Sequence, residues 1–147
     1  MNSLLNHLKG LHSTPHSPTA ARSLRALARL LAYPNAELRA HLGDLLEALH
    51  AEQGLSQARL AGLERLVSQL SASDAYEVES DYVELFDRGR STSLHLFEHV
   101  HGDSRDRGPA MIDLIQTYEQ AGLFIDNSEL PDFLPVLLEF ASTQPPQ

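Results

Sequence analysis

A chain of 147 residues suits one domain, and an apolar fraction of 42% can fill a buried core, which excludes wholesale disorder. A formal charge of −9 argues against non-specific nucleic-acid binding, which needs cations to displace phosphate counterions, and favours positively charged partners. The absence of cysteine excludes disulfides, thiolate metal sites and cysteine nucleophiles, and fits a reducing compartment.

Residues 1–18 hold Lys9 as their single cation among glycine, prolines and small polar residues. They match neither a secretory signal nor a membrane span, which needs roughly 18 uninterrupted apolar residues. A loose lead-in to a soluble cytoplasmic protein is expected. The first helix is predicted to open with Thr19 as its cap, with Leu24, Leu27, Ala28 and Leu31 on one face. Tyr33-Pro34 ends it, because the residue before proline is pushed out of the α region.

Asn35 is placed to cap a second helix, whose stripe is Leu38, Leu42, Leu45, Leu46 and Leu49, with Gly54 closing it. Ser56 opens a third, carrying Leu60, Leu63, Val67 and Leu70. Asp74 and Glu77 have the spacing of a capping box, and Val78, Tyr82, Leu85 and Phe86 follow as a fourth helical face. The segment from Leu85 to Met111 interrupts this rhythm, apart from a short apolar set at Leu94, Phe97 and Val100. Pro109 can begin another helix, with Met111, Leu114, Ile115 and Tyr118 on its face and Gly122 at its end. Asp132 is read as the cap of a last helix, which puts Pro135 at its third position and Val136, Leu137, Leu138 and Phe140 on its apolar side. Residues 143–147 read as a disordered tail. No period-two strand of useful length is present, so the expectation is one all-α domain over residues 1–147.

The interrupting segment holds three histidines, four arginines and four acids, which leaves several chemistries open. His95 and His99 would share a helix face, with His101, Glu98 and Asp103 nearby, but the zinc-peptidase order of residues is missing. "DRGRSTS" has arginines and hydroxyls around one glycine, which suits a polar loop better than a phosphate cradle. Carboxylates and histidines could serve as acids and bases, yet the interleaved arginines would pair with the acids and hold them ionised. A helix-lined groove for a basic amphipathic peptide could be lined by Tyr82, Phe86, Leu94, Phe97, Met111, Leu114 and Tyr118, residues that periodicity alone would equally place in a core.

"YVELFDRGRSTSLHLFEHVHGDSRDRGPAMIDL", followed by "YEQAGL" and "ELPDFLPVLLEFAS", resembles the NarJ family of nitrate reductase molybdenum-cofactor assembly chaperones, within the wider TorD/DmsD group of redox-enzyme maturation proteins. The resemblance is dense over residues 76–142 and extends to "LARLLAYPNAEL". It implies an all-helical bundle of the TorD/NarJ type that is a cytoplasmic chaperone and not an enzyme. Its partner would be the N-terminal segment of the apo catalytic (alpha) subunit of respiratory nitrate reductase, typically amphipathic and basic. It would have no cofactor of its own, and would assist insertion of bis-molybdopterin guanine dinucleotide before the client docks at the membrane. No nucleic acid and no membrane insertion are implied.

Under this reading Tyr82, Leu85, Phe86, Leu94, Phe97, Tyr118 and Phe133 form or support the peptide groove. Glu84, Asp87, Glu98, Asp103 and Asp132 form its acidic rim. Arg88, Arg90, Arg105 and Arg107 hold the loops through ion pairs, or reach the cofactor's phosphates indirectly. Two departures stand out: Phe133 follows Asp132 where the wider group often has histidine, and family members usually continue for several helices beyond Ser142. The apolar surface around Val136–Phe140 is therefore expected to lack its usual cover and to favour a homodimer. The competing readings are a metal-dependent enzyme using His95, His99 and His101, and an oligomerising scaffold with no client.

Overall fold

The computed structural model describes residues 20–145, and every regular element among them is helical. In chain order they are α1 (Ala20–Leu30), α2 (Ala36–Ala40), α3 (Leu42–Glu52), α4 (Gln57–Ala72), α5 (Ala75–Tyr82), a π turn (Val83–Asp87), a 3₁₀ turn (Arg90–Thr92), α6 (Leu96–Val100), α7 (Arg107–Gln120) and α8 (Leu134–Thr143). No helix among the described residues is long and apolar enough to cross a membrane. The expected Thr19 cap, the lead-in over 1–18 and the last two residues of the expected tail lie outside the described residues; Thr143 itself ends α8.

Three caps form where their side chains were expected. Asn35 Oδ1 accepts from Leu38 N at 2.9 Å, Ser56 Oγ from Arg59 N at 3.4 Å, and Asp74 Oδ2 from Tyr76 N at 3.0 Å. At the end of α7, Gly122 takes φ +82°, donates to Glu119 O, and lets Leu123 N reach Tyr118 O at 2.9 Å. That paired bonding satisfies the last carbonyls and folds Leu123 back onto Tyr118. Gln53, not Gly54, takes the left-handed position after α3.

Other expectations shift. The second helix is two pieces, α2 and α3, broken at His41, whose ring binds Glu37 O at 2.8 Å. α1 buries Ser23, Ala26, Ala28 and Leu30; of its expected face, Ala28 is buried while Leu24, Leu27 and Leu31 are half-buried. The cause is its position: α1 lies between α3 and α8, so its burial is not confined to one stripe. α7 begins at Arg107, ahead of Pro109.

Two apolar clusters result. The first joins Ala26, Leu30, Leu42, Leu49, Leu60 and Val67 from α1, α3 and α4. The second centres on Phe97, Leu114 and Tyr118, with Val136, Leu137 and Phe140 of α8 packed against it. Because α8 lies along α1 and feeds the second cluster, Val136, Leu137, Leu138 and Phe140 are half-buried, so the patch from which dimerisation was expected is partly covered.

Polar side chains tie helix ends together across the first cluster. Glu52, in the last turn of α3, accepts from Arg22 N at 2.8 Å and Ser23 N at 2.6 Å, supplying the first turn of α1 with the acceptors it lacks. Burial alone would raise the Glu52 carboxyl, but the bonds from Ser23 and Arg22 prevail and hold it below the ordinary glutamate value. Arg39 donates to Leu70 O at 3.2 Å and Ser73 O at 2.6 Å, closing the end of α4.

Candidate functional site

The "ELPDF" segment and the histidine-rich segment meet at one junction. Leu134 N donates to Leu94 O at 2.8 Å and Leu96 N to Asp132 O at 3.1 Å, forming the single antiparallel bridge His95–Phe133 among the described residues. Asp132 is 0% exposed, and its Oδ2 accepts from Phe97 N at 3.0 Å. Asp132 therefore caps α6, which is 35 residues away in sequence, and not the helix that follows it. α8 starts at Leu134 with Pro135 at its second position and no side-chain cap, correcting the expected register. Tyr118 OH donates to Pro131 O at 2.7 Å and fixes the segment from the other side.

This junction sorts the candidate residues. Phe97 and Tyr118, each 1% exposed, and buried Leu94 form the scaffold. Burial and the Asp132 charge push the Tyr118 phenol far above its usual range. Phe133 is half-buried and stacks on the His95 ring at 5.2 Å. Asp132, expected on an exposed rim, is instead an interior hydrogen-bond acceptor. Its second oxygen, Oδ1, lies 3.6 Å from His95 Nδ1, beyond a direct hydrogen bond.

The three histidines do not converge. His95 faces Asp132 and Phe133, His99 Nε2 meets Ser93 O at 2.8 Å, and His101 packs edge-on against Phe97. Among the described residues no group of three histidines or carboxylates is arranged to hold a metal ion.

The second set of candidates lies at the π turn. Arg88 N reaches back to Val83 O at 3.2 Å, a wider loop than an α-helix makes. The turn is held at both ends. Tyr82 OH donates to Leu31 O at 2.7 Å, and the Thr92 hydroxyl donates to Leu85 O. Gly89 is needed there, since a Cβ at that position would sit 2.7 Å from Thr92 Oγ1. The result leaves Leu85 51% exposed, beside half-buried Tyr82 and Phe86 whose rings tilt together at 4.8 Å. Burial, with the charges of Asp87 and Glu129, pushes Tyr82 up to about 12.

Of the rim candidates, Glu84 pairs with Arg88 at 2.7 Å and Asp103 with Arg90 at 3.3 Å, on exposed side chains. Asp87 and Glu98 have no ion-pair partner among the described residues. The same holds for Arg105 and Arg107, so two of the four arginines pair as expected. Sequence reading treated Tyr33 only as a helix stop. The fold sets its ring edge-on to Tyr82 at 5.6 Å. An aromatic residue at a helix end beside proline was the available signal.

Comparison with known proteins bears on this arrangement. The family described as nitrate reductase delta subunit matches residues 31–146. The nitrate reductase molybdenum cofactor assembly chaperone NarJ of Escherichia coli (strain K12) is 47% identical over 119 residues, which cover 81% of this chain and 50% of that protein. NarJ of Bacillus subtilis (strain 168) is 40% identical over 120 residues, covering 80% of this chain and 62% of its own length. The chain thus spans about half the length of the first of these relatives. A crystal structure of a redox enzyme maturation protein from Archaeoglobus fulgidus superposes with a TM-score of 0.58 at 21% identity, over 90% of this chain and 74% of that one, which supports the all-α fold.

Proposed function

The chain belongs to the nitrate reductase delta subunit family, that of the NarJ chaperones, and on that premise we propose that it is an assembly chaperone for the nitrate reductase catalytic subunit. It has no catalytic step of its own, in keeping with relatives that are named as chaperones. In the cytoplasm it binds the N-terminal segment of the apo catalytic subunit. It keeps that subunit competent for insertion of bis-molybdopterin guanine dinucleotide and delays membrane docking until insertion is complete.

One observation carries this reading. The segment with the strongest family resemblance folds into a hydrogen-bonded frame that leaves the π turn presenting apolar and acidic side chains together. Tyr82, Leu85, Phe86 and Asp87 are the contact residues, with Glu84 and Glu98 at the edge and Phe133 in support. Leu94, Phe97, Tyr118 and Asp132 act from the interior by holding the frame. An amphipathic segment with basic residues would bury its apolar side on Leu85 and set its cations against the acids.

Calorimetric titration with a synthetic peptide of the catalytic subunit's N-terminal segment tests the proposal. Saturable binding at micromolar concentration is expected, weakened by Leu85→Ala without change in melting temperature. Absence of saturation would sink the chaperone reading for this chain. Zinc or iron retained at one equivalent, and lost on His99→Ala, would favour the metal-enzyme alternative instead.

A further inference from the structure

The run from Asp74 to Asp87 carries six carboxylates and no lysine, arginine or histidine. Three arginines are already engaged: Arg88 with Glu84 at 2.7 Å, Arg29 with Glu37 at 3.5 Å, and Arg39 with Ser73 O, just before the run, at 2.6 Å. Glu79, Asp87 and Glu129 have no ion-pair partner among the described residues. An aromatic row, Tyr33–Tyr82–Phe86, has ring centroids 5.6 and 4.8 Å apart; Glu79 stands one turn before Tyr82 on α5, and Asp87 directly follows Phe86. Partial desolvation, the charge of Glu79 and a hydrogen bond to it, and the charge of Asp87 raise the Tyr33 phenol, while burial and then Asp87 and Glu129 raise Tyr82.

Ordinary packing accounts for Tyr82 and Phe86, which are half-buried, but not for Tyr33. Tyr33 remains 45% exposed, and the Tyr82 hydroxyl is spent on Leu31 O, so Tyr82 and Phe86 offer ring surface alone. Aromatic faces attract cations, and carboxylates beside them add to that attraction at short range. The row ends at Leu85, which supplies apolar surface next to the negative one.

We propose that Tyr33, Tyr82 and Phe86, walled by Glu79, Asp87 and Glu129, form a cation subsite for one basic side chain of the client's N-terminal segment, with Leu85 taking the apolar residue beside it. This deepens the chaperone reading and rests on it. The partner chemistry is fixed by complementarity: carboxylates without ion-pair cations, beside one exposed and two half-buried aromatic rings, suit a lysine or arginine carried on an otherwise apolar helix face. Tyr33 is the diagnostic residue, since it is exposed and belongs to neither apolar cluster.

The test uses two synthetic peptides of the catalytic subunit's N-terminal segment, one natural and one with its lysines and arginines replaced by glutamine. Each is titrated calorimetrically into the wild-type chain and into Tyr33→Leu, Tyr33→Phe and Glu79→Gln, with melting temperatures confirming that each variant is folded. Tyr33→Leu is expected to weaken the natural peptide about threefold to fivefold and leave the neutral peptide unchanged. Tyr33→Phe keeps the ring and should keep the affinity, while Glu79→Gln should weaken the natural peptide and flatten its salt dependence. Equal losses on both peptides, or no loss with Tyr33→Leu, would overturn the subsite. Equal wild-type affinity for both peptides would remove the subsite and leave the chaperone reading standing. No binding of either peptide would overturn both.

Discussion

The two apolar clusters are held in different ways. Around α1, α3 and α4, leucines and alanines at helical spacing fill the interior, and polar groups work at the helix ends, as with Glu52 and Arg39. Around α6, α7 and α8 the buried core residues are fewer, and a buried carboxylate, a tyrosine hydroxyl and a short main-chain bridge do the fixing. Non-directional apolar contact spreads specificity over many residues, each replaceable by another of similar volume. Directional hydrogen bonds concentrate it in a few atoms that have no substitute.

The sharpest test of this contrast is Asp132→Leu against Leu49→Met. Removing the buried acceptor strands the Phe97 N–H, at a cost of about 3 kcal/mol, whereas the volume-conserving change at fully buried Leu49 should cost about 1 kcal/mol in urea unfolding. Equal costs would break the comparison. Tyr118→Phe comes next, at about 1.5 kcal/mol, because Pro131 O loses its buried donor while the ring stays packed.

Glu52→Gln should cost about 1 kcal/mol at neutral pH, weakening the acceptor at the start of α1. The Glu52 carboxyl titrates lower folded than unfolded, so its contribution is complete above the unfolded value and fades as pH falls through the folded one. The melting difference from wild type should be widest near neutrality and narrow once the pH drops below the ordinary value of 4.5. Gly89→Ala is expected to have the smallest global effect, under about 1 kcal/mol. It should instead displace Thr92 and speed amide exchange across residues 85–93, loosening the π turn without melting either cluster.

The same contrast explains what could be read from the sequence. Helices of the first cluster announce themselves through leucine spacing and, for α4, the cap at Ser56; Asn35 and Asp74 mark the starts of α2 and α5 in the same local way. The break at His41 rests on a ring-to-carbonyl bond to Glu37, and the wrap of burial around α1 on neighbours far along the chain; leucine spacing carries neither. The Asp132 misreading has one cause. Its position just before a helix suggested a local cap, while its true partner, Phe97 N, is brought near only by the fold. The resemblance singled out one segment, yet a pattern of apolar residues does not distinguish Phe97, which packs inside, from Leu85, which faces water. The π turn, which creates that difference, leaves no periodic trace of its own.

The bridge at Leu94–Leu96 and Asp132–Leu134 also closes the intervening chain into a ring that contains α7. Lengthening a ring already closed is cheap, since doubling a loop adds only about 0.6 kcal/mol. A foreign peptide spliced near exposed Asn127 should therefore leave the fold intact, while the same splice between Leu94 and Phe97 would throw the pairing out of register. Because the chain has no cysteine, Asn127→Cys would create a uniquely addressable thiol. A dye placed there could follow the ring opening and closing in the intact protein.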